Sequence, residues 1–155
     1  LLFESATHSA GVLAMSKSPK VKGEQVKSIR SYGHHFGMAY QLIDDLLDYV
    51  GSKTIMGKNT GDDLSEGKLT LPIILALAKT SGRKKNSLLH ALKQKSSANL
   101  EEIVEIITSS GAIEDTRKAA LHEIEQAREH LLHLPENEYR KALESLTEYS
   151  ADRIF

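Results

Sequence analysis

The sequence contains no cysteine, which excludes both a disulfide framework and thiolate chemistry. This absence also suits a reducing compartment, so we expect the protein to be cytoplasmic. No apolar run reaches the length of a membrane span, so no transmembrane segment is expected. Lys and Arg number 20 and Asp and Glu number 21, and this balance favours neither a nucleic-acid partner nor an anionic membrane surface.

The first residues have the pattern of a helix interior. Apolar residues at Leu2, Phe3, Ala6, Ala10 and Leu13 follow helical spacing, with no capping residue before them. There is neither an initiator methionine nor a basic region followed by an apolar stretch, so no signal peptide is expected. We therefore expect the chain to be a fragment.

Helical periodicity covers nearly the whole chain, and the alternation typical of strands is missing. The length of 155 residues fits one domain, which we predict to be an all-α bundle with short connections. Helices are predicted at about residues 1–15, 23–50, 70–78, 86–95, 99–110, 113–134 and 138–152, with a turn at 81–84. The exception is the glycine-rich stretch 51–68, predicted to be a long loop, and such loops are usually functional.

Three aspartates share one face of the second predicted helix. At about 100° per residue, Asp44, Asp45 and Asp48 fall within an arc of about 100°, which also includes Gln41. At roughly 6 Å and an effective dielectric near 20, each pair of ionised carboxylates repels by about 3 kcal/mol. No lysine or arginine occurs in residues 31–51, so a cation from elsewhere is needed if the face is not fully solvated. Hard oxygen ligands with open coordination suit Mg²⁺.

The other positions of this segment are apolar and should pack in the bundle: Leu42, Ile43, Leu46, Leu47, Tyr49 and Val50. A solvated acidic patch is the simpler interpretation of the aspartates, and their spacing alone does not decide between the two.

The stretch that follows adds lysines next to glycines, at Lys58 and Lys68. Glycine lets the backbone approach a ligand closely, and a lysine ammonium is a mobile charge suited to phosphate. Aspartates that hold Mg²⁺, followed by such lysines, could bind a diphosphate through metal and ammonium together. The spacing of a Walker A loop is missing, and an ordinary flexible loop is the alternative interpretation.

Taken together, these segments resemble the second half of the trans-isoprenyl (polyprenyl) diphosphate synthase signature, and most closely the bacterial octaprenyl diphosphate synthases. The segments are YQLIDDLLDY at residues 40–49, MGK at 56–58 and GDDLSEGKLTLP at 61–72. The resemblance is densest over residues 3–77 and specific, because motif, spacing and flanking residues agree.

The resemblance implies an isoprenoid-synthase-type helical bundle around a deep cavity, usually a homodimer. In that family, Mg²⁺ ions lie between two aspartate-rich motifs and the diphosphate of an allylic substrate. Loss of the diphosphate leaves an allylic cation, the double bond of isopentenyl diphosphate attacks it, and a proton is lost. Repeated cycles make a long all-trans chain, and an octaprenyl product would serve as the side chain of ubiquinone.

The resemblance also assigns roles to single residues. It makes Asp44, Asp45 and Asp48 the Mg²⁺ ligands, directly or through water, with Asp44 and Asp45 also counted as catalytic. The residues that it places at the substrates are Tyr40, Gln41, Lys58, Asp63 and Lys68, the two lysines binding the allylic diphosphate and counting as catalytic as well.

The chain departs from the family in one large respect. No second Asp-Asp-x-x-Asp occurs, and the basic residues that hold isopentenyl diphosphate normally lie upstream. The missing features all belong to the N-terminal half, so we expect residues 1–155 to be the C-terminal half of one synthase domain and to be inactive alone.

Three other functions are open. A non-catalytic subunit of a two-component synthase would usually lose motif aspartates, and this chain keeps all three. A helical interaction module would not bind diphosphate with Mg²⁺. A di-metal carboxylate bundle needs Glu-x-x-His pairs, and His122-Glu123 and Glu129-His130 are adjacent instead.

Overall fold

The structure is a computed structural model that describes residues 2–50, 61–96 and 98–153. Within these ranges the chain forms helices and no strand, which confirms the all-α prediction. The helices are α1 (Leu2–Lys17), α2 (Gly23–Val50), α3 (Asp62–Glu66), α4 (Leu71–Lys79), α5 (Gly82–Gln94), α6 (Leu100–Ser109), α7 (Ala112–Leu131) and α8 (Glu138–Asp152). No helix in the described ranges is both long enough and apolar enough to cross a bilayer.

The helices group into two compact units. The first unit contains Leu1–Gln41 and Ala119–Phe155, and the second contains Leu42–Lys118. Helices α2 and α7 are each divided between the two units, with one segment in each.

The first unit is built around aromatic and aliphatic side chains of α2 and α7. Buried Tyr32, Phe36, Ala127 and Leu131 form its core, with four partly buried hydrophobic residues packed on them, namely Phe3, Ile29, Leu134 and Leu143. The Tyr32 hydroxyl lies 3.3 Å from the Thr147 hydroxyl, so α8 is joined to this core by a buried polar contact.

Glycines allow α1 to lie close against α2 in this unit. A Cβ built on Gly33 would lie 2.0 Å from the Thr7 hydroxyl oxygen and 2.7 Å from the Phe3 carbonyl oxygen. A side chain at this position is therefore incompatible with the observed separation of the two helices.

The second unit surrounds the end of α2 with short helices. Its fully buried side chains include Ile43, Leu46, Leu64, Ile73 and Leu88, and α5 packs against α3, α4 and α6. Residue 72 is the proline of the first turn of α4, where its missing N–H costs no helical hydrogen bond.

Two predicted boundaries are wrong. The predicted loop at residues 51–68 contains helix α3 from Asp62, and residues 51–60 lie outside the described ranges. The predicted turn at residues 81–84 is the first turn of α5, because Arg83, Lys84 and Lys85 favour helix as strongly as the residues after them. Val50, predicted to pack with the apolar face, is 43% exposed.

Candidate active site

Asp48 joins the end of α2 to the start of α3. Its Oδ1 accepts hydrogen bonds from the backbone N–H groups of Gly61 and Asp62, and its Oδ2 accepts one from Asp63, each at 3.1 Å. The Asp48 carbonyl oxygen accepts a further bond from the Gly61 N–H at 3.0 Å. The third aspartate of the motif therefore fixes the glycine-containing segment against the motif helix.

Gly61 is required where this junction turns. Its φ of 86° lies in the left-handed region, and a Cβ would lie 2.6 Å from the nearest methyl of Leu100. The residue before α3 thus has no side chain to cap the helix, and Asp48 provides the acceptors instead.

The other two aspartates differ in exposure. Asp44 is half-buried, whereas Asp45 is only 8% exposed. The acidic face is therefore not the fully solvated patch of the simpler interpretation. A buried carboxylate loses hydration, and a bound cation compensates for that loss.

Burial also raises the pKa of Asp48, and together with the neighbouring charge of Asp63 it outweighs the three N–H donors, which lower that pKa. Burial likewise raises the pKa of the Tyr49 hydroxyl, with the charges of Asp48, Asp63 and Asp45 adding to the effect. Tyr49 therefore stays protonated, and it lies 3.3 Å from the Thr70 hydroxyl at the start of α4. Helical periodicity assigns Tyr49 to the packing face and cannot reveal this polar contact.

Lys68 is held by two carboxylates. Its Nζ lies 3.0 Å from Asp63 Oδ1 and 2.7 Å from Glu66 Oε2, and these ion pairs raise the pKa of Lys68. The Lys68 N–H also donates to the Asp63 carbonyl oxygen at 2.9 Å. Asp63 therefore contacts both Asp48, through its backbone N–H, and Lys68, through its carboxylate. The ion pair of Lys68 with Glu66 was not predicted.

Tyr40 and Gln41 belong to the first unit. The Tyr40 ring lies 5.4 Å from the Phe3 ring and 6.4 Å from the Phe36 ring, and the Arg153 guanidinium lies 5.3 Å from its centroid. Gln41 is exposed on α2. Lys58 lies outside the described residues, so its predicted role stays a prediction from the sequence.

The carboxylates fit an ion that takes few protein ligands. Among the residues that the structure describes, no three His, Asp or Glu side chains are grouped so that they could hold a metal ion. Magnesium usually takes one or two carboxylates and completes its octahedral shell with water and phosphate oxygens. Asp44 and Asp45 would be such a partial set if an ion bound here, and Lys68, which lies in the same unit, would be the counter-charge for phosphate.

The chain is similar to known proteins of one family. The family model described as polyprenyl synthetase matches residues 1–108. The all-trans-nonaprenyl-diphosphate synthase (geranyl-diphosphate specific) of Rhodobacter capsulatus is 41% identical over 153 residues, 99% of this chain and 45% of that protein. The octaprenyl diphosphate synthase of Escherichia coli strain K12 is 37% identical, over 98% of this chain and 46% of that protein.

Solved structures give the same result. A decaprenyl diphosphate synthase from Rhodobacter capsulatus superposes with a TM-score of 0.87 at 35% identity. A polyprenyl synthase from Caulobacter crescentus, complexed with calcium and isoprenyl diphosphate, superposes with a TM-score of 0.85 at 35% identity. Each match covers 99% of this chain and 46% of the other. The chain therefore spans a little under half the length of the relatives that it matches.

Proposed function

This chain belongs to the polyprenyl synthetase family, and from that membership we propose that it forms the C-terminal half of a trans-prenyltransferase. The complete enzyme would condense isopentenyl diphosphate onto an allylic diphosphate and so make a long-chain all-trans polyprenyl diphosphate. The relatives named above, which make nonaprenyl, octaprenyl and decaprenyl diphosphates, support the long-chain class.

The observation that carries the proposal is the set of three hydrogen bonds from Gly61, Asp62 and Asp63 to the Asp48 carboxylate. These hydrogen bonds hold the aspartate-bearing end of α2 against the start of α3, which Lys68 follows closely in the sequence. Metal-binding oxygens and a phosphate-binding ammonium are the two groups that a diphosphate needs.

In this proposal Asp44, Asp45 and, directly or through water, Asp48 hold Mg²⁺. The bound ion would neutralise the charge that develops on the departing diphosphate. Lys68 would turn from Asp63 and Glu66 towards the allylic diphosphate. That exchange costs little, because the ammonium is exposed and solvent screens both of its ion pairs. The same proposal places Lys58 at the diphosphate and Tyr40 and Gln41 at the substrate.

The bond changes of one cycle follow from the substrates. The allylic C–O bond breaks, and its electron pair leaves with the diphosphate. The double bond of isopentenyl diphosphate then forms the new C–C bond, and loss of a proton restores an alkene. The chain described here has one Asp-Asp-x-x-Asp motif, so by itself it supplies one wall of such a site and we expect it to be inactive.

The decisive experiment compares the chain with a chimera. In the chimera, the N-terminal half of the Rhodobacter capsulatus nonaprenyl synthase precedes residues 1–155. Incorporation of labelled isopentenyl diphosphate with geranyl diphosphate and Mg²⁺ is measured for both proteins. We expect no turnover by the chain alone and turnover by the chimera.

Two variants of the chimera distinguish a loss of the metal site from a loss of folding. Asp44→Ala should lower turnover by about 10²–10³-fold, because it removes a group that stabilises charge in the transition state. Asp152→Ala, at the exposed end of α8, should leave turnover unchanged. Turnover by the 155-residue chain alone would refute the one-wall proposal. A folded chimera that binds geranyl diphosphate without elongating it would refute the prenyltransferase function.

The finer features of the proposal are an octaprenyl product for ubiquinone, a homodimeric enzyme and a cytoplasmic location. The octaprenyl assignment rests on overall likeness, and reversed-phase analysis of the products of the complete enzyme tests it.

A further inference from the structure

Positive charge is concentrated in one stretch of the chain. Residues 67–100 contain seven of the 20 Lys and Arg residues and none of the 21 Asp and Glu residues. This stretch therefore has a formal charge of +7, and the remainder of the chain has −8. The near-neutral total, which favoured no anionic partner, conceals this separation.

Much of that charge lies on one exposed face of α5. Lys85, Leu89 and Lys93 follow each other at intervals of four residues and form a stripe along the helix, with all three exposed. Leu89 is 47% exposed, whereas Leu88 and Ala91 on the opposite side are buried in the second unit. The stripe is therefore a cationic surface with an apolar residue at its centre.

The cations of the stripe are not neutralised within the part of the chain that the structure describes. The ion pairs found there include Lys68 and Lys79 but neither Lys85 nor Lys93. Glu102 and Glu105 of the adjacent helix α6 lie along the other flank of α5, where Ser87 donates a hydrogen bond to Glu102 at 3.0 Å. Arg83 lies on that flank too, so the stripe is the part of α5 with unopposed charge.

We propose that the Lys85–Leu89–Lys93 stripe binds the surface of an anionic phospholipid bilayer as a peripheral contact. Lysines near such a surface are attracted to the headgroups, and a leucine between them can enter the headgroup boundary. Helix α5 contains no Phe, Tyr or Trp for base stacking, so a nucleic acid fits this surface less well. The proposal is independent of the prenyltransferase function, because it concerns binding alone.

The test measures co-sedimentation of the 155-residue chain with vesicles of phosphatidylcholine alone or with 30% phosphatidylglycerol. We expect binding only to the anionic vesicles, and loss of that binding when salt is raised to about 0.5 M. Lys85→Gln with Lys93→Gln should lower the partition coefficient by about 25-fold, or about fivefold per lysine. The matched control is Lys27→Gln with Lys141→Gln, which removes the same charge from two exposed positions and should retain binding.

A second variant distinguishes a bilayer from other polyanions. Leu89→Gln should weaken vesicle binding without changing retention on heparin, and circular dichroism should confirm that every variant is folded. Equal binding to neutral and anionic vesicles, equal loss in both lysine pairs, or no binding at low salt would overturn the proposal. An unchanged affinity of Leu89→Gln for vesicles, or displacement from vesicles by equimolar DNA or polyglutamate, would overturn it in favour of a soluble polyanion.

Discussion

At the scale of single residues, Asp48 shows how one carboxylate can serve both a fold and a site. Helix α3 has only five residues, and its N-cap is a glycine. A helix this short depends on tertiary contacts, and the N–H groups of its N-cap and of its first two residues find their acceptor on Asp48. A loss of activity at Asp48 would therefore combine a structural and a chemical effect.

We predict that Asp48→Ala lowers the free energy of unfolding of the second unit by about 1–3 kcal/mol, because the partly buried N–H of Asp63 and the exposed N–H of Asp62 lose their acceptor, while the Gly61 N–H keeps only the carbonyl oxygen of residue 48. Asp48→Asn should lose less of the free energy of unfolding, since its Oδ1 can still accept hydrogen bonds from Gly61 and Asp62. Its amide nitrogen cannot accept the hydrogen bond from Asp63. Urea unfolding and hydrogen exchange of amides 61–65 measure both variants. Equal protection of those amides in Asp48→Ala and the unsubstituted chain would contradict the prediction.

A second residue-scale feature is a row of imidazoles in the first unit. The His35 and His130 rings are stacked at 5.4 Å, and His133 lies 6.5 Å from His130. His35 Nδ1 is 2.8 Å from Glu123 Oε2, so Glu123 is the ion-pair partner of a protonated His35. Burial, followed by the charges of His35 and His133, lowers the pKa of His130 against the opposing effect of Glu129.

The sign of the resulting pH dependence follows from that lowered pKa. As pH falls below about 6.5, the unfolded chain binds a proton at this residue that the folded chain resists, so stability decreases until the folded pKa is passed. His130→Gln should therefore reduce the loss of stability between pH 7.5 and 5.5. His122→Gln, exposed on the same helix, should not. The urea concentration at the midpoint of unfolding, measured for each protein at both pH values, tests this prediction. An equal change of that midpoint with pH in the His130 variant and in the unsubstituted chain would contradict it.

At the scale of elements, the seam between α1 and α2 depends on the absence of a side chain at Gly33. We predict that Gly33→Ala destabilises the first unit by about 1–3 kcal/mol, because its Cβ meets Thr7 and the Phe3 carbonyl oxygen. The better helix propensity of alanine, at most about 1 kcal/mol, does not offset this.

The control for this substitution is Gly23→Ala at the start of α2, where no atom lies within 4 Å of the new Cβ. Thermal unfolding compares the two variants. A melting temperature for Gly33→Ala equal to that of Gly23→Ala would show that the helices separate without cost.

Sequence patterns predicted the long elements better than the short ones. Residues 23–50 form one helix with the predicted bounds, because a periodic pattern of 28 residues is a stronger signal than the preference of any single residue within it. Helix α3 was missed because its stabilising acceptor lies 13–15 residues away on another helix. For the same reason the chemistry of the aspartates could be predicted from residue type, whereas the pairing of Lys68 with Glu66 could not.

At the scale of the whole molecule, apolar surface is left uncovered. Within α1 no residue is buried, and Leu2, Val12, Leu13 and Met15 are 79%, 44%, 54% and 42% exposed. The chain spans a little under half the length of the relatives that it matches. Large exposed apolar patches favour association.

We predict that the chain self-associates through α1. Size-exclusion chromatography with light scattering at about 100 µM should give a mass above 17.1 kDa. Val12→Gln with Leu13→Gln should restore the monomer mass, whereas Leu132→Gln, at a leucine outside α1 that is 65% exposed, should not. A monomer at that concentration would contradict the prediction.

The division into two units has a consequence for the order in which the chain folds during synthesis. The second unit is continuous in sequence, and the contacts that build its site close loops of only 13–21 residues. The first unit joins residues as far apart as Tyr32 and Thr147, 115 positions along the chain. Short loops close at lower entropic cost, so the aspartate-bearing unit can form while the last helix is still on the ribosome. The first unit has to wait for α8, and its N-terminal helices are the segment that nascent-chain chaperones would meet unpaired.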